Sequence, residues 1–312
     1  MVNNNTEPEL LIEYERDGLV DQEHYGFIVL ANKNKAFDFT GDAKNYPFYL
    51  RSCAKPLQAS LLIDYGMTEE EIAICCASHA GEEIHVKTAE HLLKKIGLDE
   101  SYLKCGLHKP LSKTEQTKMI LNGLSEHPLQ NNCSGKHVMM LGLCKMKEWD
   151  LATYDSPEHP LQKAIKSKIY ELCKVPKEYP ITTDGCGVPI VSMPLTNILH
   201  GYLNLFCNPK YEKIKNAFLN HPYIIGGEYR TDTKIIENSQ NIVAKVGAGG
   251  LWIVVNTKSE EAFVVKISDC DMKARELVVC QTLKNLHWAD IPMDLDIKTL
   301  HNQKVGEVKI LV

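Results

Sequence analysis

Hydrophobic and polar residues alternate at both ends of the chain and follow a helical period in the middle. Near the start, the alternation predicts three short strands, over residues 9–15, 25–31 and 36–40, and the polar run 32–35 predicts a hairpin connection. After Asn241 the alternation returns and predicts strands near 242–247, 251–256 and 261–267, a long helix over 269–287 and a last strand over 304–312.

The middle of the chain predicts a series of helices. Apolar residues recur with helical spacing over 53–65, 69–76, 84–96, 112–124, 136–147, 160–173, 192–206 and 210–219. Two helix starts carry a capping-box pattern, in which Thr68 precedes Glu71 and Ser112 precedes Glu115.

This order of elements indicates an α+β fold. Strands from both chain ends can join in one antiparallel sheet if the helical segment is inserted between them. We expect a single catalytic domain over residues 1–312, with a sheet lobe formed by 1–49 and 241–312 and a mostly helical lobe formed by 50–240. The chain contains no internal repeat, low-complexity stretch or clear linker that would divide it.

Composition and charge narrow the range of partners. The 312 residues are 44% hydrophobic and 24% charged, which is enough apolar material for a substantial core. The formal charge of −5 and the lack of a basic run with interleaved aromatic residues argue against a nucleic acid partner. Residues 1–11 are polar and acidic, unlike a signal peptide, and no run of eighteen apolar residues predicts a membrane span. We therefore expect a cytoplasmic protein with no membrane partner.

The chain has 11 cysteines, an odd number scattered over its length, which is unlike the even, closely spaced framework of a small secreted protein. Most are expected to be reduced. Five of them lie among apolar residues in helical segments and are expected to act as small core residues without a function: Cys75, Cys76, Cys144, Cys173 and Cys280.

Three separated segments carry candidate acyl-transfer chemistry. Ser52 and Lys55 form a Ser-x-x-Lys motif, Ser78 lies in a second segment, and Lys245 begins a Lys-x-Gly motif, in the order found in serine acyl-transfer enzymes. Side chains three residues apart on a helical turn are neighbours, so Lys55 can reach Ser52. A lone Ser-x-x-Lys also arises by chance in exposed helical turns, and the ordered trio is what favours the catalytic interpretation.

A lysine activates a serine only after losing its proton. Because a free lysine titrates near about 10.4, the site must lower that pKa by burial or by a nearby cation. The sequence offers both, since apolar residues follow Lys55 on its helix and Arg51 and Lys245 are candidate neighbouring cations.

A second group of residues suggests a metal site. Cys133 precedes Lys136 and His137 at the start of a predicted helix, and Cys186 lies on a glycine-flanked loop. Thiolates and nitrogens suit zinc, and on general chemistry the ligands are Cys133, Cys186 and His137, because lysine is an uncommon ligand. The alternative is that the two cysteines are unrelated core residues.

Five blocks of the sequence resemble the rhizobial-type L-asparaginases, also called the asparaginase II family. The likeness extends from about residue 10 to about residue 290, and its blocks are Arg51-Ser52-Cys53-Ala54-Lys55-Pro56-Leu57-Gln58, Cys76-Ala77-Ser78-His79, Asn132-Cys133-Ser134-Gly135-Lys136-His137, Asp184-Gly185-Cys186 and Lys245-Val246-Gly247.

The resemblance implies a fold similar to serine β-lactamases and serine-dependent glutaminases, a homodimer, and hydrolysis of L-asparagine to aspartate and ammonia. It implies two Ser-Lys tandems, Ser52 with Lys55 and Ser78 with Lys245, with Ser52 as the nucleophile. It also implies zinc bound by Cys133, Lys136 and Cys186, which replaces His137 as the nitrogen ligand. Substrate contacts are then expected from Arg51, His79, Asn132, Gly135, His137, Asp184 and Arg230.

Residues 247–250 lack the acidic residue that some members of the family carry there, so the partner of the substrate ammonium group is unassigned.

Two alternatives to an asparaginase remain open at this point. A glutaminase or peptide amidase would use the same chemistry, because one methylene discriminates by only ~1–3 kcal/mol. An inactive zinc-binding regulatory protein is the alternative of another class, although it would have no need of both tandems.

Overall fold

The structure, a computed structural model, describes residues 7–41 and 43–312 and has the predicted α+β arrangement. Residues 1–6 and 42 of the predicted sheet lobe lie outside the described residues. The strands of the described part are β1 (Glu9–Arg16), β2 (Leu19–Asn32), β3 (Ala36–Thr40), β4 (Pro47–Tyr49), β5 (Ile181–Thr183), β6 (Pro189–Pro194), β7 (Ile242–Val246), β8 (Leu251–Asn256), β9 (Glu261–Ile267), β10 (Asp296–Lys298) and β11 (Lys304–Ile310). The helices are α1 (Ala54–Ala59), α2 (Glu69–Cys76), α3 (Glu83–Lys95), α4 (Lys113–Leu121), α5 (Ser134–Lys147), α6 (Pro160–Cys173), α7 (Leu195–Phe206), α8 (Glu212–Asn220), α9 (Pro222–Ile225), α10 (Thr231–Glu237) and α11 (Met272–Asn285).

Strands from both chain ends form one antiparallel sheet, as predicted. Within the described ranges its order is β10-β11-β1-β2-β9-β8-β7, and β3 pairs with the later part of β2. Strands β8 and β9 are buried along most of their length. Because successive side chains point to opposite faces, both faces are covered there, and the covering helices are α7, against β2 and β9, and α11, against β8 and β9.

The helical lobe differs from its prediction around residue 192. The predicted helix over 192–206 begins only at Leu195, because Pro189–Pro194 form strand β6. Met193 precedes a proline, and that placement disfavours the helical conformation. Strand β6 pairs with β4 and β5 in a small sheet of its own, which the sequence did not predict.

Several local predictions are confirmed. The Thr68 hydroxyl accepts from the backbone N–H of Glu71, and the Glu71 carboxylate accepts from the backbone N–H of Thr68. The Ser112 hydroxyl accepts from the backbone N–H of Glu115. The five cysteines expected in the core are buried, and every cysteine of the described chain is free. None of the described helices combines the length and apolar composition needed to cross a membrane.

Strand β7 is the last strand of the large sheet, and the helical lobe closes over its open edge. There β7 packs against α10 and against the 3₁₀ turn Arg51–Cys53 that precedes α1. A Cβ at Gly247, just after β7, would lie 2.8 Å from Cys53 Sγ, so only glycine allows this approach without displacement. The contact brings the end of β7, with Lys245, beside α1.

Candidate active site

The side-chain nitrogens of Lys55 and Lys245 converge on the hydroxyl of Ser78. Lys55 Nζ lies 3.0 Å and Lys245 Nζ lies 2.8 Å from Ser78 Oγ. Lys55 lies on α1, Ser78 two residues after α2, and Lys245 on β7, and their exposed fractions are 1%, 4% and 0% in that order. Two amines and one hydroxyl therefore share a site closed to bulk water.

Burial changes the proton affinity of both lysines. Lys55 also donates to the carbonyl oxygens of Ala77 (2.6 Å) and Asn132 (2.8 Å), and its pKa is lowered mainly by burial. Burial lowers the pKa of Lys245 to about 8, although the charge of Asp232 acts to raise it. An amine with a lowered pKa can act as a proton acceptor or donor near neutral pH.

Ser52 lies on a strained turn directly before α1. Arg51 has a φ of +49°, which non-glycine residues adopt at a cost, and Ser52 itself is half-buried. Within the described residues no hydrogen bond joins Ser52 to Lys55, because the Lys55 amine is directed to Ser78 and two carbonyls. The pairing of Ser52 with Lys55 stays a prediction.

An ion pair links this turn to the loop that carries Cys186. Arg51 Nε lies 2.7 Å from Asp184 Oδ1, and the Asp184 side chain is nearly buried. Burial acts to raise the pKa of Asp184, but the charges of Lys136 and Arg51 lower it, so the carboxylate stays ionised. The pair holds the Ser52 turn against the Asp184-Gly185-Cys186 loop.

Cys133, Lys136 and Cys186 form a buried cluster. Lys136 Nζ lies 2.9 Å from Cys186 Sγ, and each cysteine is 6% exposed. A hydrogen bond from Cys186 lowers the pKa of Cys133 well below its usual value, and the same bond raises that of Cys186. Burial acts to lower the pKa of Lys136, but the thiolate charge raises it. Within the described ranges, no group of three or more His, Cys, Asp or Glu side chains is placed to hold a metal ion.

Two histidines expected at the substrate lie in the interior. His137 Nδ1 is 2.7 Å from the hydroxyl of Tyr154, and burial lowers the pKa of His137 far enough to keep the ring neutral. His79 Nε2 is 3.0 Å from Ser134 Oγ, and its Nδ1 accepts from the backbone of Gly81. Both side chains are 0% exposed, and the substrate contacts expected of His79 and His137 stay predictions.

Gly135 lies at a close contact between α5 and α2. A Cβ at this position would lie 2.0 Å from the carbonyl oxygen of Ile74, so α5 and α2 touch through backbone atoms. Gly135 is buried, and its small size is needed for that contact. Its expected contact with the substrate stays a prediction.

A protein-family model described as L-asparaginase II matches residues 12–310. The chain belongs to the asparaginase II family. The resemblance inferred from the motifs is thus confirmed at the level of the family. No curated protein matches the sequence.

Solved structures with a similar arrangement include two at low sequence identity. A β-lactamase from Mycobacterium bovis is 14% identical, with 83% of this chain and 94% of that chain covered and a TM-score of 0.45. A β-lactamase/D-alanine carboxypeptidase from Pseudomonas syringae is 10% identical, with 83% and 93% covered and a TM-score of 0.45.

Two further residues expected at the substrate lie at the edge of the site in this asparaginase II family member. Asn132 is half-buried, and its backbone N–H donates to His108 Nε2 at 3.0 Å. Arg230 is half-buried at the end of the loop 226–230. That loop lies beside Ser78, because the backbone N–H of Ala80 donates to the carbonyl of Gly226 at 2.8 Å.

Sequence reasoning missed two charged residues that hold the Lys245 segment of this family member. Asp232 Oδ2 accepts from the backbone N–H of Val246 at 3.0 Å, and Arg275 Nη1 donates to the carbonyl of Gly247 at 2.7 Å. Asp232 is 2% and Arg275 is 7% exposed. The only sequence signal was that Asp232 closely follows the glycine-rich loop ending at Arg230.

Proposed function

We propose that the protein hydrolyses the side-chain amide of L-asparagine to L-aspartate and ammonia. Membership of the asparaginase II family supports amide hydrolysis. The observation that carries the proposed chemistry is the convergence of two buried lysines on Ser78, because one of them, Lys55, lies a single helical turn from Ser52.

In the proposed first step, the Ser52 hydroxyl attacks the substrate carbonyl carbon. Ser52 is more accessible than Ser78, and its turn is fixed by the Arg51 backbone and the Arg51–Asp184 ion pair. Lys55, whose pKa is lowered mainly by burial, takes the hydroxyl proton in its neutral form. Catalytic hydrogen bonds are often long before substrate binds, so the present orientation of Lys55 toward Ser78 is compatible with this step.

In the proposed second step, the C–N bond breaks and the nitrogen leaves as ammonia. Ser78 gives its proton to the leaving nitrogen and takes one from Lys245. Lys55, which holds the proton from Ser52, can then reprotonate Lys245 through the same Ser78 hydroxyl, because both amines contact it. Backbone N–H groups stabilise the oxyanion. Water then attacks the Ser52 ester, releasing aspartate and returning the proton to the serine.

We propose that zinc binds Cys133, Lys136 and Cys186. The donor set fits, because Lys136 contacts Cys186, Cys133 is buried close enough for both to affect its pKa, and two sulfurs with one nitrogen suit zinc by chemistry. Lys136 must release its proton on binding, since only a neutral amine has a lone pair to donate. When bound, the zinc ion would orient the substrate by binding an oxygen or nitrogen atom of the substrate.

Ammonia release from L-asparagine, L-glutamine and β-aspartyl peptides tests the proposed function. Metal content is measured on the same preparation. We expect the highest kcat/KM for L-asparagine. Preference for L-glutamine or a peptide would reassign the substrate, and a folded, zinc-loaded protein that releases no ammonia from any of them would leave the regulatory alternative.

We expect Cys186→Ser to lose most of its bound zinc and to raise KM for L-asparagine more than it lowers kcat. The reason is that the mutation removes a thiolate from the donor set while both Ser-Lys pairs remain. Metal analysis and steady-state kinetics check this. Cys280→Ser, a buried cysteine on α11 outside the site, is the control and should keep its zinc. A chelated, folded enzyme with no turnover at saturating L-asparagine would contradict a purely orienting role.

A further inference from the structure

The open edge of β7 next to Lys245 is closed by side chains. β7 is the last strand in the described sheet, so one row of its backbone groups faces away from β8. Asp232 Oδ2 accepts a hydrogen bond from the backbone N–H of Val246, and the Lys245 amine donates to the carbonyl of the same residue at 2.9 Å. The backbone next to Lys245 is thus held by a carboxylate from α10.

The Asp232 carboxylate is only half satisfied by hydrogen bonds. Its Oδ1 is buried and has no partner in the described part of the chain. A buried carboxylate is costly unless a positive charge compensates it. Two buried cationic groups, Arg275 and Lys245, are coupled to Asp232, which is the charged group with the largest effect on the proton affinity of each.

We propose that Asp232 is a positioning residue for Lys245: it fixes the end of β7 through the Val246 amide, and its charge retains the proton that Lys245 delivers to the leaving group. This role rests on the proposed hydrolysis, but the charge coupling is a property of the free protein. Asp232 needs no contact with substrate, and its buried Oδ1 offers none.

The charged groups around Lys245 determine the direction in which its pKa changes when the Asp232 charge is removed. The charged and titratable neighbours are Asp232 of α10, Lys55 of α1, Arg230 and Arg275, and the thiols of Cys53 and Cys76. Burial, the charge of Arg230 and, in its protonated form, Lys55 favour the neutral amine of Lys245, and Asp232 is the main opposing charge. Removing that anion therefore lowers the pKa of Lys245, from about 8.

The test is Asp232→Asn, which keeps an oxygen able to accept from Val246 but removes the charge. We expect the pKa of Lys245 to fall by about one pH unit or more, measured from the ¹³Cε chemical shift of labelled lysine, with the signal assigned by its loss in Lys245→Arg. Asp232→Glu restores the charge and is expected to return the pKa toward its original value. Asp271→Asn is the control and should leave the pKa of Lys245 unchanged. It also removes a carboxylate that accepts from a backbone N–H, that of Ala274 at 2.7 Å.

The activity readout is the pH profile. The alkaline limb of kcat should move to lower pH in Asp232→Asn, and at a pH above the limb a fall of about one pH unit in the lysine pKa should lower kcat about tenfold. A merely structural role would lower activity at all pH values without moving the limb. An unchanged lysine pKa in folded Asp232→Asn overturns the inference. If the wild-type enzyme hydrolyses no amide, the proposed function fails, but the lysine titration still decides the role of Asp232.

Discussion

Ser52→Ala is expected to fold normally and to release ammonia from L-asparagine at least about 10³-fold more slowly than the wild-type enzyme. Loss of a single oxyanion donor already costs about 10²–10³ in turnover, and loss of the nucleophile should cost more. Stability should change little, because Ser52 is half-buried and no hydrogen bond holds it to Lys55 in the described residues. Steady-state ammonia assays and thermal unfolding measure the two effects.

The competing assignment places the nucleophile at Ser78, which contacts both lysines. Mass spectrometry of acid-quenched enzyme separates the two, because the acyl group should be found on the peptide containing Ser52. Ser78→Ala should slow both steps yet still allow an adduct at Ser52. Ser60→Ala is the control and should keep normal turnover, because in the described part of the chain the Ser60 hydroxyl donates to the carbonyl of Leu57, away from the site. An adduct on Ser78, or near-normal turnover by Ser52→Ala, would show that the nucleophile is misassigned.

Local patterns in the sequence predicted the parts of the fold that depend on local interactions. The capping box at Thr68 and Glu71 formed as predicted because its partners are three residues apart. The strands at both ends paired as predicted because alternation fixes which face of each strand is buried. Strand β6 was missed because four mostly apolar residues between two prolines, 190–193, do not distinguish a buried strand from the first turn of a helix.

Long-range contacts explain what the sequence could not show in the site. The motif places Lys55 one turn from Ser52, but the Lys55 amine turns to Ser78 because the carbonyls of Ala77 and Asn132 lie on that side. These carbonyls belong to backbone that no residue type identifies. The sequence did not identify Asp232 for a similar reason, since its carboxylate acts on the backbone N–H of Val246, fourteen residues later.

The same limit applies to residues predicted as substrate contacts from their motif. His79, Gly135 and His137 belong to the family blocks, but a motif does not reveal which side chains face the interior. All three residues make contacts inside the fold. His79 is hydrogen-bonded to Ser134, His137 is hydrogen-bonded to Tyr154, and Gly135 allows α5 to pack closely against α2. The contacts of His79 and Gly135 join the start of α5 to α2 and to the residue after Ser78, and the contact of His137 joins α5 to Tyr154.

Gly135→Ala is the second change with a large expected effect. Its Cβ would lie 2.0 Å from the Ile74 carbonyl oxygen and 2.7 Å from the Ile74 carbonyl carbon, both backbone atoms that cannot rotate away. We expect a loss of about 1–3 kcal/mol or more in the free energy of unfolding, since overpacking forces helices apart. Thermal and denaturant unfolding measure this loss.

The same helix supplies a matched control. A Cβ at Gly142, two turns along α5, meets only Ile96 side-chain atoms at 3.9 and 4.0 Å, which is ordinary contact. Gly142→Ala should therefore be neutral or stabilising by about 0.4–1 kcal/mol, because alanine restricts the unfolded chain. Opposite signs for the two substitutions would place the effect in the α2–α5 contact rather than in helix propensity.

Displacement of α5 should also lower zinc binding and turnover. Ser78 follows α2, whereas Cys133 and Lys136 lie at the start of α5, so separating these helices moves the thiol cluster away from Ser78. Folded Gly135→Ala is therefore expected to bind zinc less tightly and to lose turnover, while Gly142→Ala keeps both. Normal stability, zinc affinity and turnover in Gly135→Ala would mean that the close backbone contact with Ile74 does not hold the two halves of the site together.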